Sequence, residues 1–141
     1  MKKSTGDLLK SLKSARTYEE FLNREISELN FGTLAEYLEL LIASKSLKKS
    51  DIIVRGNLDK NYAYQLFNGT KTNPSRDKVL MLAFGMGLDY AETSVLLKNA
   101  KQPDLYVRDP RDSVIIFCLE NHMTLIQANE KLMDNALKIM E

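Results

Sequence analysis

Four side chains that can form hydrogen bonds cluster in the middle of the sequence, in the run DKNYAYQLF at residues 59–67. They are Lys60, Asn61, Tyr64 and Gln65. Positions three and four apart lie on the same side of a helix. A helix over this run therefore presents ammonium, amide and phenol groups together, with Ala63 and Leu66 on the inner side. The run predicts either an ordinary packed helix with a solvated side or a helix that binds a partner through that side.

The charge distribution of the chain bears on which partner this could be. The whole chain has a net charge of +1, but residues 48–78 contain seven basic and three acidic residues. Residues 104–141 contain four basic and seven acidic residues. A basic surface on a neutral body is typical of a nucleic-acid-binding protein. A solvated face of mixed charge fits the charge count at least as well, so that reading stays open.

The composition is that of a globular protein of one domain's length. The 141 residues, 44% of them hydrophobic and 28% charged, suffice to bury a real core. One cysteine cannot form an internal disulfide. No apolar run approaches the roughly 18–20 residues of a membrane span, and the N-terminus lacks the apolar stretch of a signal peptide. We therefore expect a cytoplasmic protein.

Helix signals occur along the whole chain. Apolar residues recur at helical spacing, and we find no strand-like alternation. Capping boxes at Thr17 and Thr33, N-caps at Asp59 and Asp89 and an Asp-Pro start at Asp109 mark helix beginnings. The sequence predicts an all-α protein with some seven or eight short helices. Helix signals cover residues 5–15, 18–29, 33–46, 49–55, 59–67, 109–122 and 124–140, and further ones start at Pro74-Ser75, with Gly85 and Gly87 bracketing the end, and at Asp89.

The two short helices at 49–55 and 59–67 have the arrangement of a helix-turn-helix. Gly56 and Asn57 form the turn, because both tolerate the left-handed backbone of a tight turn. We divide the chain into an N-terminal helical extension at 1–32, a helix-turn-helix domain at 33–102 and a C-terminal two-helix extension at 103–141.

Residues 33–100 resemble the lambda-repressor-like (Cro/Xre-type) helix-turn-helix domain of phage repressors and bacterial regulators. The resemblance rests on the inward residues of the two short helices, on the turn and on the segment that follows. These are Ile52, Ile53, Gly56-Asn57-Leu58, Ala63 and the run Leu66-Phe-Asn-Gly69 with Pro74-Ser75 after it. Ile53 stands where the family usually has Ala, and Asn57 where it usually has Gly.

The resemblance implies a five-helix DNA-binding fold with extra helices at both ends, in a repressor-type transcription regulator of bacteria or phages. Its second short helix would enter the major groove of double-stranded DNA. By position, the base-reading residues would be Lys60, Asn61, Tyr64 and Gln65. The phosphate contacts would be Lys49, Tyr62, Asn68, Thr70 and Lys71. Family members usually dimerise, so a homodimer is expected.

A protein-interaction module on the same fold, with no role in DNA binding, is the alternative. Tyr62 and Tyr64 could simply pack on a neighbouring helix. A continuous positive band over Lys49, Lys60, Lys71 and Arg76 would favour DNA binding, and an acidic or apolar face there would favour the alternative. The C-terminal helices carry surplus apolar residues, which could be extra core or a surface for a second copy or another protein.

No residue pattern indicates catalysis, and we expect no enzyme, cofactor or metal. The chain has no phosphate-binding loop, dinucleotide motif or nucleophile elbow. Cys118 lies among apolar residues, which is typical of a buried small hydrophobe. One Cys and one His cannot make a zinc site by themselves.

Overall fold

The computed structural model describes residues 3–25 and 32–141. Over these ranges the chain is all-helical, as expected, and has no strand. The nine helices of the described residues are α1 (Thr5–Ser14), α2 (Tyr18–Glu25), α3 (Leu34–Ser44), α4 (Lys49–Arg55), α5 (Lys60–Phe67), α6 (Arg76–Met86), α7 (Tyr90–Asn99), α8 (Pro110–Glu120) and α9 (Leu125–Asp134).

The second and the last helix were predicted to extend beyond the helices that the structure describes. The continuation of the second helix over residues 26–29 and the break at Asn30-Phe31 lie outside the described residues. The last helix ends at Asp134, so the prediction that it reaches residue 140 is wrong. Two residues further on, Ala136 adopts a left-handed backbone with φ 57°, although no Gly or Pro is present there to signal a stop.

Most helix starts follow the predicted side-chain caps. Asp89 with Glu92 and Thr124 with Gln127 form complete capping boxes. At Thr33 the hydroxyl accepts from the Glu36 N–H at 3.1 Å, but the Glu36 carboxylate accepts from the Gly32 N–H instead of the Thr33 N–H. The second predicted box, at Thr17, is displaced by one residue in the same way.

Six of the described helices end in the same backbone motif. The residue after the C-cap has positive φ at Ser46, Asn57, Lys101, His122 and Ala136, and in α6 the C-cap Gly87 itself has positive φ. In each case the next N–H donates back to the carbonyl five residues earlier, as in a Schellman motif. The donors are Leu47, Leu58, Leu88, Gln102, Met123 and Leu137, and all but Gln102 are apolar residues that pack at the helix end.

The core is built around α6, whose residues Val79 to Met86 are all buried. The shortest helix, α4, packs on α6 at Gly85, where a Cβ would lie 2.5 Å from the Ile52 carbonyl oxygen. The absence of a side chain at Gly85 thus lets the two backbones meet. α3 packs on α5 and α7, which closes the other side of the core.

Helices α8 and α9 pack on this core. Ile115, Cys118, Leu125 and Leu132 belong to the same buried cluster as the residues of α3 to α7. Helices α8 and α9 therefore cover the core, although Phe117, Ile126 and Met133 remain exposed.

Two crossed ion pairs fasten the C-terminal extension to α6. The Arg76 guanidinium contacts both oxygens of Asp112, at 3.0 and 2.8 Å. Arg111 in turn donates to both oxygens of Asp77 at 3.1 Å, and to the carbonyl oxygens of Lys138 and Ile139. The first turns of α6 and α8 and the last residues of the chain are therefore held together by charge-assisted hydrogen bonds.

The first helix stands apart from this core. No residue of α1 is buried, and α1 packs on α2. The Lys3 ammonium contacts both oxygens of the buried Glu25 carboxylate at 2.7 Å, and this hydrogen bond lowers the pKa of Glu25. Among the residues described, no helix combines the length and the apolar character needed to cross a membrane.

Candidate nucleic-acid interface

Helices α4 and α5 are joined by four residues, Gly56 to Asp59, and only one of them is left-handed. Asn57 has φ 49°, whereas Gly56 has φ −84°. The expectation that Gly56 serves a left-handed turn is therefore wrong. This position needs glycine for lack of space, because a Cβ on residue 56 would lie 2.8 Å from the Met81 carbonyl oxygen and 2.9 Å from that of Ile52.

Capping and burial together fix the orientation of α5. The Asp59 carboxylate accepts a hydrogen bond from the Tyr62 N–H at 2.9 Å, as its expected N-cap role requires. Ala63 and Leu66 are fully buried and Phe67 nearly so. Since these three residues face the core, the opposite side of α5 must face outward.

The four proposed base-reading side chains lie on that outward side. Lys60, Asn61 and Tyr64 are exposed and Gln65 is half-buried. The Tyr64 ring meets Phe67 edge-on, with 6.0 Å between centroids, which partly restrains it. Within the described part of the chain, no hydrogen bond or ion pair engages the side chains of Lys60, Asn61 and Gln65. Their polar groups are thus open to a partner.

The Lys49 side chain is already engaged. Its ammonium lies 2.7 Å from a carboxylate oxygen of Glu39 and 5.6 Å from the centroid of the Phe67 ring. A phosphate could reach Lys49 only in competition with Glu39, or together with a rearrangement of that exposed pair. Such exposed pairs are weak, worth about 0–1 kcal/mol.

The other expected phosphate contacts gather at the end of α5. The Asn68 side-chain oxygen accepts from the Thr70 N–H at 2.9 Å and so shapes the loop that carries Thr70 and Lys71, both exposed. The Lys71 ammonium lies 5.6 Å from the centroid of the Tyr62 ring. Tyr62 is half-buried, and this burial raises the pKa of its hydroxyl. It remains a neutral hydrogen-bond donor at neutral pH.

Arg76 does not contribute free positive charge to this surface. Its guanidinium is bound to Asp112 and to the carbonyl oxygens of Pro103 and Asp104. The hydrogen bond to Asp112 raises the pKa of Arg76 further. The expected band over Lys49, Lys60, Lys71 and Arg76 is thus interrupted, because two of its four cations are paired with carboxylates.

Lys101 lies near Lys71, although the sequence analysis did not include it among the site residues. Lys101 and Lys71 line one depression of about 240 Å³, between the start of α3, the loop after α5 and the end of α7. Thr72, Asn73 and Asn99 add polar groups to its wall. Lys101 is 30 residues away from Lys71, so only the packing of α7 against α3 places them together.

Over residues 3–25 and 32–141, no group of three or more His, Cys, Asp or Glu side chains is arranged to hold a metal ion. Cys118 is buried, as expected, and burial raises the pKa of its thiol.

No protein-family model matches the chain, and neither a curated protein nor a solved structure matches it.

Proposed function

We propose that this chain binds double-stranded DNA in a sequence-specific manner and acts as a transcription regulator of the lambda-repressor-like type. Helix α5 would enter the major groove, with α4 crossing above it. The observation that carries this proposal is the outward side of α5. Three side chains there, Lys60, Asn61 and Gln65, have polar groups that are engaged by no other described residue.

The chemistry of these side chains suits base edges in the major groove. Asn61 or Gln65 can pair with adenine through two hydrogen bonds, and Lys60 can donate to the acceptors of guanine. The loop after α5 would place Asn68, Thr70 and Lys71 against the sugar-phosphate backbone, with Tyr62 behind them and Lys101 extending the basic surface. Such contacts set the register of the protein without reading sequence. Two copies would read two half-sites about one helical turn apart.

Fluorescence anisotropy with duplex DNA, across a salt series, tests the proposal. Counterion release predicts a steep loss of affinity with rising salt. The double variant Lys60→Ala with Asn61→Ala should lose most of the affinity. Lys138→Ala, a lysine on the C-terminal tail, is a matched control and should bind like the wild type. The absence of binding at low salt, where non-specific contact is strongest, would contradict DNA binding.

The paired state of Lys49 and Arg76 favours the second candidate, a protein-interaction module on the same helical scaffold. A protein partner would need the α5 face but not a continuous basic band. This candidate predicts that DNA binding is absent at low salt and that Tyr64→Ala weakens capture of a partner protein.

A further inference from the structure

We infer that the chain forms a reciprocal dimer in which α1 of each copy docks on α9 of the other. Both helices carry an exposed apolar stripe, and the charges beside the two stripes are opposite. This inference needs only those two surfaces and is independent of DNA binding.

The stripe on α1 consists of leucines beside lysines. Leu9 and Leu12, three residues apart on one side of the helix, are 48% and 42% exposed. Lys13 follows Leu9 by four residues and Lys10 lies next to it, and both lysines are exposed. Because α1 buries none of its residues, its leucines gain nothing from the fold of one copy.

The stripe on α9 has the complementary character. Ile126 and Met133, two helical turns apart, are 71% and 65% exposed. Glu130 lies between them along the helix, four residues after Ile126 and three before Met133, and Asp134 follows it by four. The opposite side of α9 is held in the core by Leu125, Ala128 and Leu132, so the stripe cannot turn inward.

The two stripes lie on helices that pack on different neighbours. α1 packs on α2, and α9 packs on α6 and α8. Within one copy each stripe therefore stays exposed. In a second copy, the α9 stripe is available to the α1 stripe of the first, and the α1 stripe to the α9 stripe of the first. Leucines would cover Ile126 and Met133, while Lys10 and Lys13 would face Glu130 and Asp134.

A reciprocal exchange explains how so short a helix could hold two chains together. Each dimer would contain the contact twice, which doubles the buried area and moves it towards the roughly 1,200–2,000 Å² of stable interfaces. A contact made in one direction only would instead extend into open chains of molecules.

Charge reversal provides the test, by sedimentation velocity of the full chain without DNA. The first variant carries Lys10→Glu and Lys13→Glu, and the second carries Glu130→Lys and Asp134→Lys. All four positions are exposed, so both variants should keep the helical circular dichroism of the wild type. Each variant alone should dimerise about tenfold more weakly, because like charges then meet across the contact.

An equimolar mixture of the two variants should restore the dimer. Both contacts in the mixed pair join opposite charges. In a dimer built on an α1–α1 or an α9–α9 contact, like charges would already meet in the wild type, so neither variant alone would weaken it. Phe117→Ala removes an equally exposed apolar side chain from α8 and should leave dimerisation unchanged. A monomeric wild type, growth of the wild type into larger species, or a mixture that stays monomeric would each overturn the inference.

Discussion

Gln65 and Lys71 lie six residues apart at the two ends of one short segment, and the proposed function gives them different tasks. Gln65 would hydrogen-bond to a base, whereas Lys71 would contact a phosphate. Gln65→Ala should therefore weaken binding to a specific site by about 1–3 kcal/mol and leave non-specific binding unchanged.

Lys71→Ala should weaken both kinds of binding alike and reduce the salt slope by about one. Anisotropy with a selected site and with unrelated duplex, at several salt concentrations, separates the two effects. Equal losses for both variants on both DNAs would contradict the assignment of Gln65 as a base-reading residue.

At the scale of elements, the contact between α4 and α6 depends on one missing side chain. A Cβ at Gly85 would lie 2.5 Å from the Ile52 carbonyl oxygen, so Gly85→Ala must push the two helices apart. Overpacking of this kind costs about 2 kcal/mol, and it should also displace α5, which follows α4 in the chain. Urea denaturation measures the stability change, and anisotropy measures the loss of DNA affinity.

Gly6→Ala is the matched control for this substitution. The nearest atom to a Cβ there is the Ser4 hydroxyl oxygen at 3.9 Å, which is an ordinary contact. An alanine inside α1 should leave the stability unchanged or raise it slightly. Equal stability of Gly85→Ala and the wild type would mean that α4 can move away from α6 without cost.

Helix starts were easier to predict from sequence than helix ends. The caps at Asp59, Asp89 and Thr124 are recognisable because each cap and its partner lie within four residues. The left-handed residues that end helices are often not glycine here, as at His122 and Ala136. Nothing local distinguishes Ala136 from a residue inside a helix, which is why the last helix was predicted too long.

In the candidate site too, features set by nearby residues could be predicted, and features set by residues distant in sequence could not. The outward position of Lys60, Asn61 and Tyr64 could be predicted, because it follows from helical periodicity within one segment. The pairing of Arg76 with Asp112 could not, because the two residues are 36 positions apart in sequence. The base-reading roles themselves stay predictions.

At the scale of the whole molecule, Asp112 joins the C-terminal extension to the core. Burial by itself raises the pKa of its carboxyl, but the hydrogen bonds from Arg76 and from the Tyr106 N–H outweigh burial, and the pKa lies below its usual value. A carboxyl with a lowered pKa stabilises the fold above its unfolded-state pKa, and this stabilisation is lost as the pH falls through the lowered value.

Asp112→Asn should therefore lower the free energy of unfolding at neutral pH by about 2 kcal/mol, because it removes the charge-assisted hydrogen bonds of the half-buried Arg76. The variant should also lose part of the acid dependence of stability below about pH 4. Urea denaturation at several pH values measures both effects. Asp51→Asn, at an exposed position outside the proposed dimer contact, is the control and should behave like the wild type. An unchanged pH profile for Asp112→Asn would contradict this role.

The crossed ion pairs also have a consequence for the order in which the molecule is made. Arg76 and Asp77 are synthesised 36 and 34 residues ahead of their partners Asp112 and Arg111, and so they leave the ribosome first. The nascent chain can thus assemble α3 to α7 while two charges at the start of α6 still face water. The proposed reading helix α5 is complete early in translation, and the support behind it is completed only when α8 has been made.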